Sequence, residues 1–387
     1  MTVPSPPGSV RTALCCCGGG VTGGMYEIGA LAALDDFFAP PDPAAGSAEG
    51  GRAFSVNDFD VYVGTSAGAF LATVLASGMR IRRLFRAILE DDESMLPARR
   101  TDIFRFDVRQ GLGILRDLAG VLLSAAARSA RRQFVMPGEL VGDLLDVLPA
   151  GIFSLRHYEK YLENFLKFHA LPLRFTEVKR ELYVTANDLD SGHRAIFGQG
   201  ALADAPLAKA ICASSAIPLF FEPVRYEGRD YIDGAVGKTA HADIALARGA
   251  DLIVIVNPLV PFRNDPDREE MPTPLVGAKH IRDKGLLAVY AQSGKMSTRT
   301  KLHQGIRRYR ASHPQATILV IEPREDEGDM FLHNPMSWES RRRMVRYGYE
   351  STARLLQEHR AEYEAAFGKH RVRVDATQLQ SPWELTG

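Results

Sequence analysis

Phe59-Asp60-Val61-Tyr62-Val63-Gly64-Thr65-Ser66-Ala67-Gly68-Ala69-Phe70 is the stretch on which the fold turns. Its first half is short, apolar and rich in β-branched and aromatic residues, the pattern of a buried strand. From Ala67 to Met79 the chain is dominated by Ala, Leu, Phe and Val and reads as a helix. Between the two lies Gly64-Thr65-Ser66-Ala67-Gly68, a G-x-S-x-G where a strand turns sharply into a helix. Small neighbours permit a strained backbone there, so the serine hydroxyl projects beside the helix N-terminus, as a nucleophile must. The simpler reading is a small-residue turn with a helix-capping serine.

Upstream, Arg11 to Cys17 forms a short apolar strand, followed at once by Gly18-Gly19-Gly20-Val21-Thr22-Gly23-Gly24 and a helix from Met25 to Phe38. Unpaired backbone N–H groups converge at such a junction and favour an anion. Gly18, Gly20 and Gly23 satisfy G-x-G-x-x-G, the dinucleotide fingerprint, which also expects a second strand carrying an acidic residue about 20 positions on. Here Asp35 and Asp36 fall at the helix end instead, before a Pro/Ala/Gly loop running to Gly51. An oxyanion hole fits better. Acyl transfer through a serine needs donors where charge develops on the carbonyl oxygen, each typically worth about 3 kcal/mol, and glycines leave that approach open.

Downstream, Arg80 to Phe106 is basic and mixed. The segment 111–133 has Leu112, Leu115, Leu118, Leu122 and Leu123 spaced as an amphipathic helix, with Arg128, Arg131 and Arg132 near its end. It reads as a core-packing helix or as a lid or membrane-contacting element. A helix is expected over Tyr158 to His169, a strand over Glu181 to Asn187, and a hairpin partner at Arg194 to Phe197. A small-residue helix from Ala208 stops ahead of Pro218, and Tyr231-Ile232-Asp233-Gly234 places a carboxylate in a glycine turn after an apolar run. Asp-Gly alone is a turn signal. Ala250 to Asn257 and Ala316 to Ile321 are buried strands, flanking a polar loop (261–274) and a basic helix (279–310) read as a solvated face or as a contact for anionic headgroups. Trp338 to Arg360 reads as a surface helix. Strands alternating with helices give a three-layer α/β/α domain with a mainly parallel central sheet.

Bulk composition narrows the functional classes. Of 387 residues, Lys+Arg and Asp+Glu number 47 each, so no global charge calls for nucleic acid. The 45% hydrophobic content suffices for a packed core. Residues 1–10 read as a disordered, Pro- and Ser-rich N-terminus without signal-peptide character, and no run of about 18 apolar residues suggests a membrane span. The four cysteines (Cys15, Cys16, Cys17 and Cys212) lack C-x-x-C spacing, which disfavours a metal site and fits buried thiols in a reducing, cytoplasmic setting.

Taken together, the Gly-rich loop (Gly18 to Gly23), the elbow (Gly64 to Gly68), the segment Ala213-Ser214-Ser215-Ala216-Ile217-Pro218 and the turn Asp233-Gly234-Ala235 occur in an order that resembles patatin-like phospholipases. The resemblance spans roughly Ala13 to Ala242. It departs from the family at Thr22, where a basic residue is typical. The resemblance implies an acyl-hydrolase domain over 11–242 and a C-terminal α/β extension over 243–387 packing on it. It implies a lipid acyl hydrolase of phospholipase A or lysophospholipase type, with Ser66 as nucleophile and Asp233 as base. Gly18, Gly19, Gly20 and Gly23 would form the oxyanion hole, and Gly64, Thr65, Ala67 and Gly68 the elbow around Ser66. No metal or cofactor is called for; the expected partner is a lipid or phospholipid, with peripheral membrane contact. Two other readings stay open. An α/β-hydrolase would add a histidine to the dyad, from His241, His280, His303 or His333. A dinucleotide- or lipid-binding module would use the glycine loop without catalysis.

Overall fold

A computed structural model describes residues 10–38, 54–92, 150–238, 240–265, 279–327 and 340–375, together with Met95, Gly120, Leu123, Asp267, Thr377 and Leu379. The expected disordered N-terminus, nearly all of the amphipathic segment 111–133 and most of the 261–274 loop lie outside these residues.

The elbow strand β2 (Val61–Thr65) lies at the middle of an eight-stranded sheet. On one side it pairs in parallel with β1 (Thr12–Cys16), and on the other with β4 (Glu181–Asp188). Beyond β1 the parallel array continues through β9 (Leu252–Val256) to β10 (Thr317–Ile321). Beyond β4 the direction reverses: β8 (Arg229–Asp233) runs antiparallel to it and β7 (Val224–Tyr226) antiparallel to β8. The hairpin expected at Arg194 is β5 (Arg194–Phe197), paired antiparallel to β4. A separate two-stranded sheet joins β3 (Gly151–Phe153) to β6 (Leu219–Phe221).

The central strands are apolar on both faces because both faces are covered. Leu14, Tyr62 and Val254 point into one core; their neighbours Ala13, Val63 and Ile253 point into the other. Cys15, Cys16 and Cys17 are divided between the same two layers, all buried free thiols. The first layer holds α1 (Gly20–Phe37), α2 (Ala67–Ala76), α3 (Ile81–Leu89), α4 (Arg156–Phe168) and α5 (Leu207–Ser214). The second holds α6 (Ala242–Ala247) and the C-terminal half of α7 (Leu286–Ser312), whose Leu302 and Ile306 are buried against the sheet. The chain continues from β10 through α8 (Arg341–Glu358) to α9 (Arg360–Lys369).

Two helices differ from their sequence reading. α8, expected on the surface, buries Met344, Val345, Tyr347 and Tyr349. Gly29 of α1 and Gly348 of α8 let the two backbones touch: a Cβ on Gly29 would meet the Val345 carbonyl at 2.0 Å, and one on Gly348 the Tyr26 carbonyl at 2.2 Å. The Tyr349 hydroxyl donates to Asp36 (2.6 Å) and seals the contact. The arginine-rich N-terminus of α8 concealed this apolar stripe. In α7 the expected solvated basic face is only partly present. Arg299 turns inward to Glu322 and Glu325, and Arg310 donates to the Ile318 carbonyl (2.8 Å), while apolar side chains face outward near the N-terminus.

Candidate active site

The parallel strands β1 and β2 deliver the glycine loop and the elbow to one edge of the sheet. Antiparallel β8 runs back along the end of β4 that extends past β2, and brings Asp233 opposite Ala186, one residue beyond the Thr185 that faces Thr65. At the elbow, Ser66 adopts φ 56° and ψ −130°, a conformation that costs a non-glycine residue on the order of 1–3 kcal/mol. The flanking glycines make it attainable. A Cβ on Gly64 would lie 2.6 Å from Ala69 Cα, and one on Gly68 would lie 2.5 Å from the Cys16 carbonyl oxygen. Thr65 is tied sideways to Thr185 of β4, hydroxyl to hydroxyl at 2.8 Å. Ala67 opens α2.

Ser66 is buried, and its hydroxyl lies beside the carboxyl of Asp233, close enough to lower its pKa. Asp233 closes β8 and is itself buried; its Oδ1 accepts the Ala235 N–H (2.8 Å). Burial raises the carboxyl to about 6, and the neighbouring Ser66 hydroxyl and the Ala235 N–H keep it from rising further. Asn187 fixes the turn from below by donating to the Asp233 carbonyl (2.7 Å), and Gly234 has no room for a side chain beside the Thr185 carbonyl.

The glycine loop lies directly against the elbow. Gly18, Gly19 and Gly20 all have positive φ (76°, 120° and 67°), and a Cβ on Gly18 would be 2.4 Å from the Thr65 carbonyl oxygen and 2.8 Å from Ser66 Cβ. The N–H groups of the four glycines expected as oxyanion donors are not equivalent. The Gly18 N–H donates to Glu27 Oε1 (2.8 Å), and the Gly23 N–H is used inside the first turn of α1, bonding to the Gly19 carbonyl (3.1 Å). Gly19 and Gly20 donate to no acceptor among the described residues. Thr22, at the position where a basic residue is typical, is buried in the same turn.

Two supports carried no signal of their own in the sequence. Ser214, at the end of α5, accepts the Ser66 N–H (2.8 Å) and donates to the Thr185 carbonyl (2.6 Å), bracing the elbow against β4. Glu27, wholly buried, has its carboxyl pushed up to about 8 by burial, against the opposing hydrogen bond from the Gly18 N–H.

Ser66 lines a cavity of about 130 Å³. Its walls come from α1 (Gly20, Gly24, Ile28), α2 (Ala67, Phe70, Leu71), α3 (Leu84, Ile88), α4 (Tyr158, Tyr161) and the segment Ser215 to Phe221. The wall is almost entirely apolar, suited to a hydrocarbon chain. A larger cleft of about 710 Å³, lined by Arg80, Arg82, Arg83 and Arg86, opens at the far end of α2 and shares no residue with this site.

Among the described residues, none of the candidate histidines contacts Ser66 or Asp233 through its side chain. His241 is buried, with Arg194 against Nδ1 (3.1 Å) and its ring against the Gly234 backbone; burial, and then the Arg194 charge, depress it to about 3. His303 pairs with Glu322 (3.1 Å), and His280 lies on the surface. His333 lies outside the described residues. The described residues contain no group of three or more His, Cys, Asp or Glu placed to hold a metal ion, and no helix long and apolar enough to cross a membrane.

Residues 14–246 match the sequence model of the patatin-like phospholipases. The match covers more than half of the chain, and the protein belongs to that family. Among solved structures, it is similar to VipD from Legionella pneumophila, at 17% identity and a TM-score of 0.40, over 92% of this chain and 68% of that one. The type III effector protein ExoU matches at 14% identity and a TM-score of 0.36, over 92% of this chain and 54% of that one.

Proposed function

We propose that the protein is a lipid acyl hydrolase that cleaves carboxylic esters through Ser66 and Asp233. The observation that carries this reading is the placement of a strained, buried Ser66 beside the buried Asp233 carboxyl, with Ser66 lining an apolar cavity. Ser66 Oγ attacks the ester carbonyl while its proton passes to Asp233. Aspartate is a weak base near its usual pKa of about 3.9, and a carboxyl raised to about 6 is better matched to neutral pH. The negative oxygen of the tetrahedral intermediate is held by the Gly19 and Gly20 N–H groups, helped by the positive end of α1. Asp233 then returns the proton to the departing alcohol, and water hydrolyses the acyl-serine by the reverse route. The acyl chain occupies the cavity between α2, α3 and α4. Its volume is below the roughly 300 Å³ of a typical small-molecule site, so it accommodates the carbons nearest the ester and favours short acyl chains.

The test is to replace Ser66 by Ala and assay a short p-nitrophenyl ester, with a fluorophosphonate probe as a second readout. The expected result is complete loss of turnover and of probe labelling, with the unfolding transition retained. Wild-type turnover in Ser66→Ala would exclude Ser66 as nucleophile.

A further inference from the structure

The N-terminal half of α7 is amphipathic in the inverted sense. Leu286 (84% exposed), Leu287, Val289, Tyr290 and Met296 face solvent, and the positions between them on that face are Ser293, Gly294 and Ser297. The inward side is polar: Gln292 holds both the N–H (3.1 Å) and the carbonyl (2.7 Å) of Phe262, and Arg299 meets Glu322 and Glu325. A contiguous apolar face in water marks a contact surface, whereas scattered exposed apolar residues do not.

Geometry says where this face points. At 27 residues α7 is about 40 Å long, whereas the five-residue strand β10 beside it spans about 17 Å. Only the C-terminal half, with Leu302 and Ile306, lies on the sheet, so the first half projects beyond it. The projection is at the catalytic edge. Phe262, held by Gln292, follows closely on Pro258 and Leu259, and those two side chains pack against Gly19 of the oxyanion loop. The tip carries Lys279, Arg282 and Lys284, with Arg282 lying 3.6 Å from the Asp283 carboxylate.

We propose that the projecting half of α7 is the surface by which this protein docks onto a bilayer carrying anionic lipid. The inference rests on the lipid-hydrolase reading for its choice of occupant. A bilayer accepts an uncharged apolar helix face at its headgroup boundary, and the basic tip complements anionic headgroups. A helix seated in this way brings the Ser66 edge to the lipid surface.

The experiment uses the full chain and sedimentation with two kinds of vesicle, phosphatidylcholine alone and phosphatidylcholine mixed with phosphatidylglycerol. The wild type is expected to prefer the mixed vesicles. The double variant Leu286→Asp/Tyr290→Asp is expected to lose about tenfold or more in partitioning, with turnover of a soluble short ester and the unfolding transition unchanged. Unaltered vesicle partitioning in the variant overturns the inference while leaving the hydrolase reading intact. A wild-type dimer in analytical ultracentrifugation that the variant disperses assigns the face to a second copy and overturns it too. Unchanged partitioning with a markedly lowered unfolding transition assigns the face to another segment of this chain and likewise overturns the docking surface. Vesicle binding that depends on Leu286 and Tyr290, in a protein that hydrolyses no ester, upholds the docking surface and sinks the hydrolase reading.

Discussion

Two buried carboxyls stand within the same small region and differ in what they touch. Asp233, at the end of β8, accepts from the Ala235 N–H and lies beside the Ser66 hydroxyl; Glu27, inside α1, accepts from the Gly18 N–H through one oxygen while the other meets no partner among the described residues. Burial raises both, Asp233 to about 6 and Glu27 to about 8. The difference teaches that a perturbed carboxyl marks a function only through its neighbours. Asp233 faces the hydroxyl that we propose as the nucleophile; Glu27 faces the Gly18 N–H, and on the same proposal holding it still aims the next two donors at the reacting oxygen.

The largest effect should come from removing the first of these groups. Asp233→Asn keeps the shape of the turn and is expected to lower kcat by about 10²–10⁴-fold, the range of general-base contributions. His241→Gln should stay within a few-fold of wild type. A collapse of activity in His241→Gln would turn the dyad into a triad and end the contrast between the two carboxyls.

A pH series sharpens the comparison. On the proposed mechanism Asp233 must be ionised, so kcat/KM on a soluble ester should fall about tenfold per unit as pH drops below about 6. Stability moves the other way. Both folded-state pKa values lie above the unfolded ones, so the protonated form is favoured by folding and stability is lost as pH rises, through about 6 for Asp233 and through about 8 for Glu27. Asp233→Asn should therefore be more stable than wild type at pH 8, by an amount on the order of 2–3 kcal/mol, readable in a denaturant titration. Equal midpoints across pH 5–8 would show that the carboxyl is not desolvated.

Glu27 should give the next smaller response. Glu27→Leu leaves the buried Gly18 N–H without an acceptor, at a cost of about 1–3 kcal/mol, and should lower kcat with KM little changed. Glu27→Gln supplies the missing acceptor and should recover most of that kcat. Failure of Gln to restore kcat would mean that Glu27 acts by charge, as Asp233 does. The smallest effect concerns the cavity: Ile88→Ala should move the preferred ester toward longer chains, each added buried methylene worth about 0.8 kcal/mol, roughly fourfold in kcat/KM.

Much of this site was legible because its backbone demands are severe. Gly64, Gly68 and Gly234 stand where a Cβ would overlap another backbone, and such positions leave a spacing in the sequence. The alternation of Ala13, Leu14, Val61 and Tyr62 between two cores likewise follows from burial on both faces of β1 and β2. Glu27 and Asn187 left no such trace, and Ser214 showed only within the Ala213 to Pro218 block with no role of its own, since their roles depend on partners that chain reversals bring close, 9, 46 and 148 residues away. The division of labour among the glycines was hidden for the same reason. Gly18 and Gly19 look alike as letters, and only the carboxyl of Glu27 distinguishes them.

The glycine contact between α1 and α8 bears on how far the protein can be trimmed. The region matching the patatin-like phospholipases stops at residue 246, yet β9 and β10 extend the sheet from β1, and α8 covers α1. A fragment ending at 246 would retain Ser66, Asp233 and every glycine of the loop while exposing the β1 edge and the Tyr26–Gly29 surface to water. Such a fragment is expected to be insoluble or unfolded, so a minimal catalytic piece of this protein has to reach through α8.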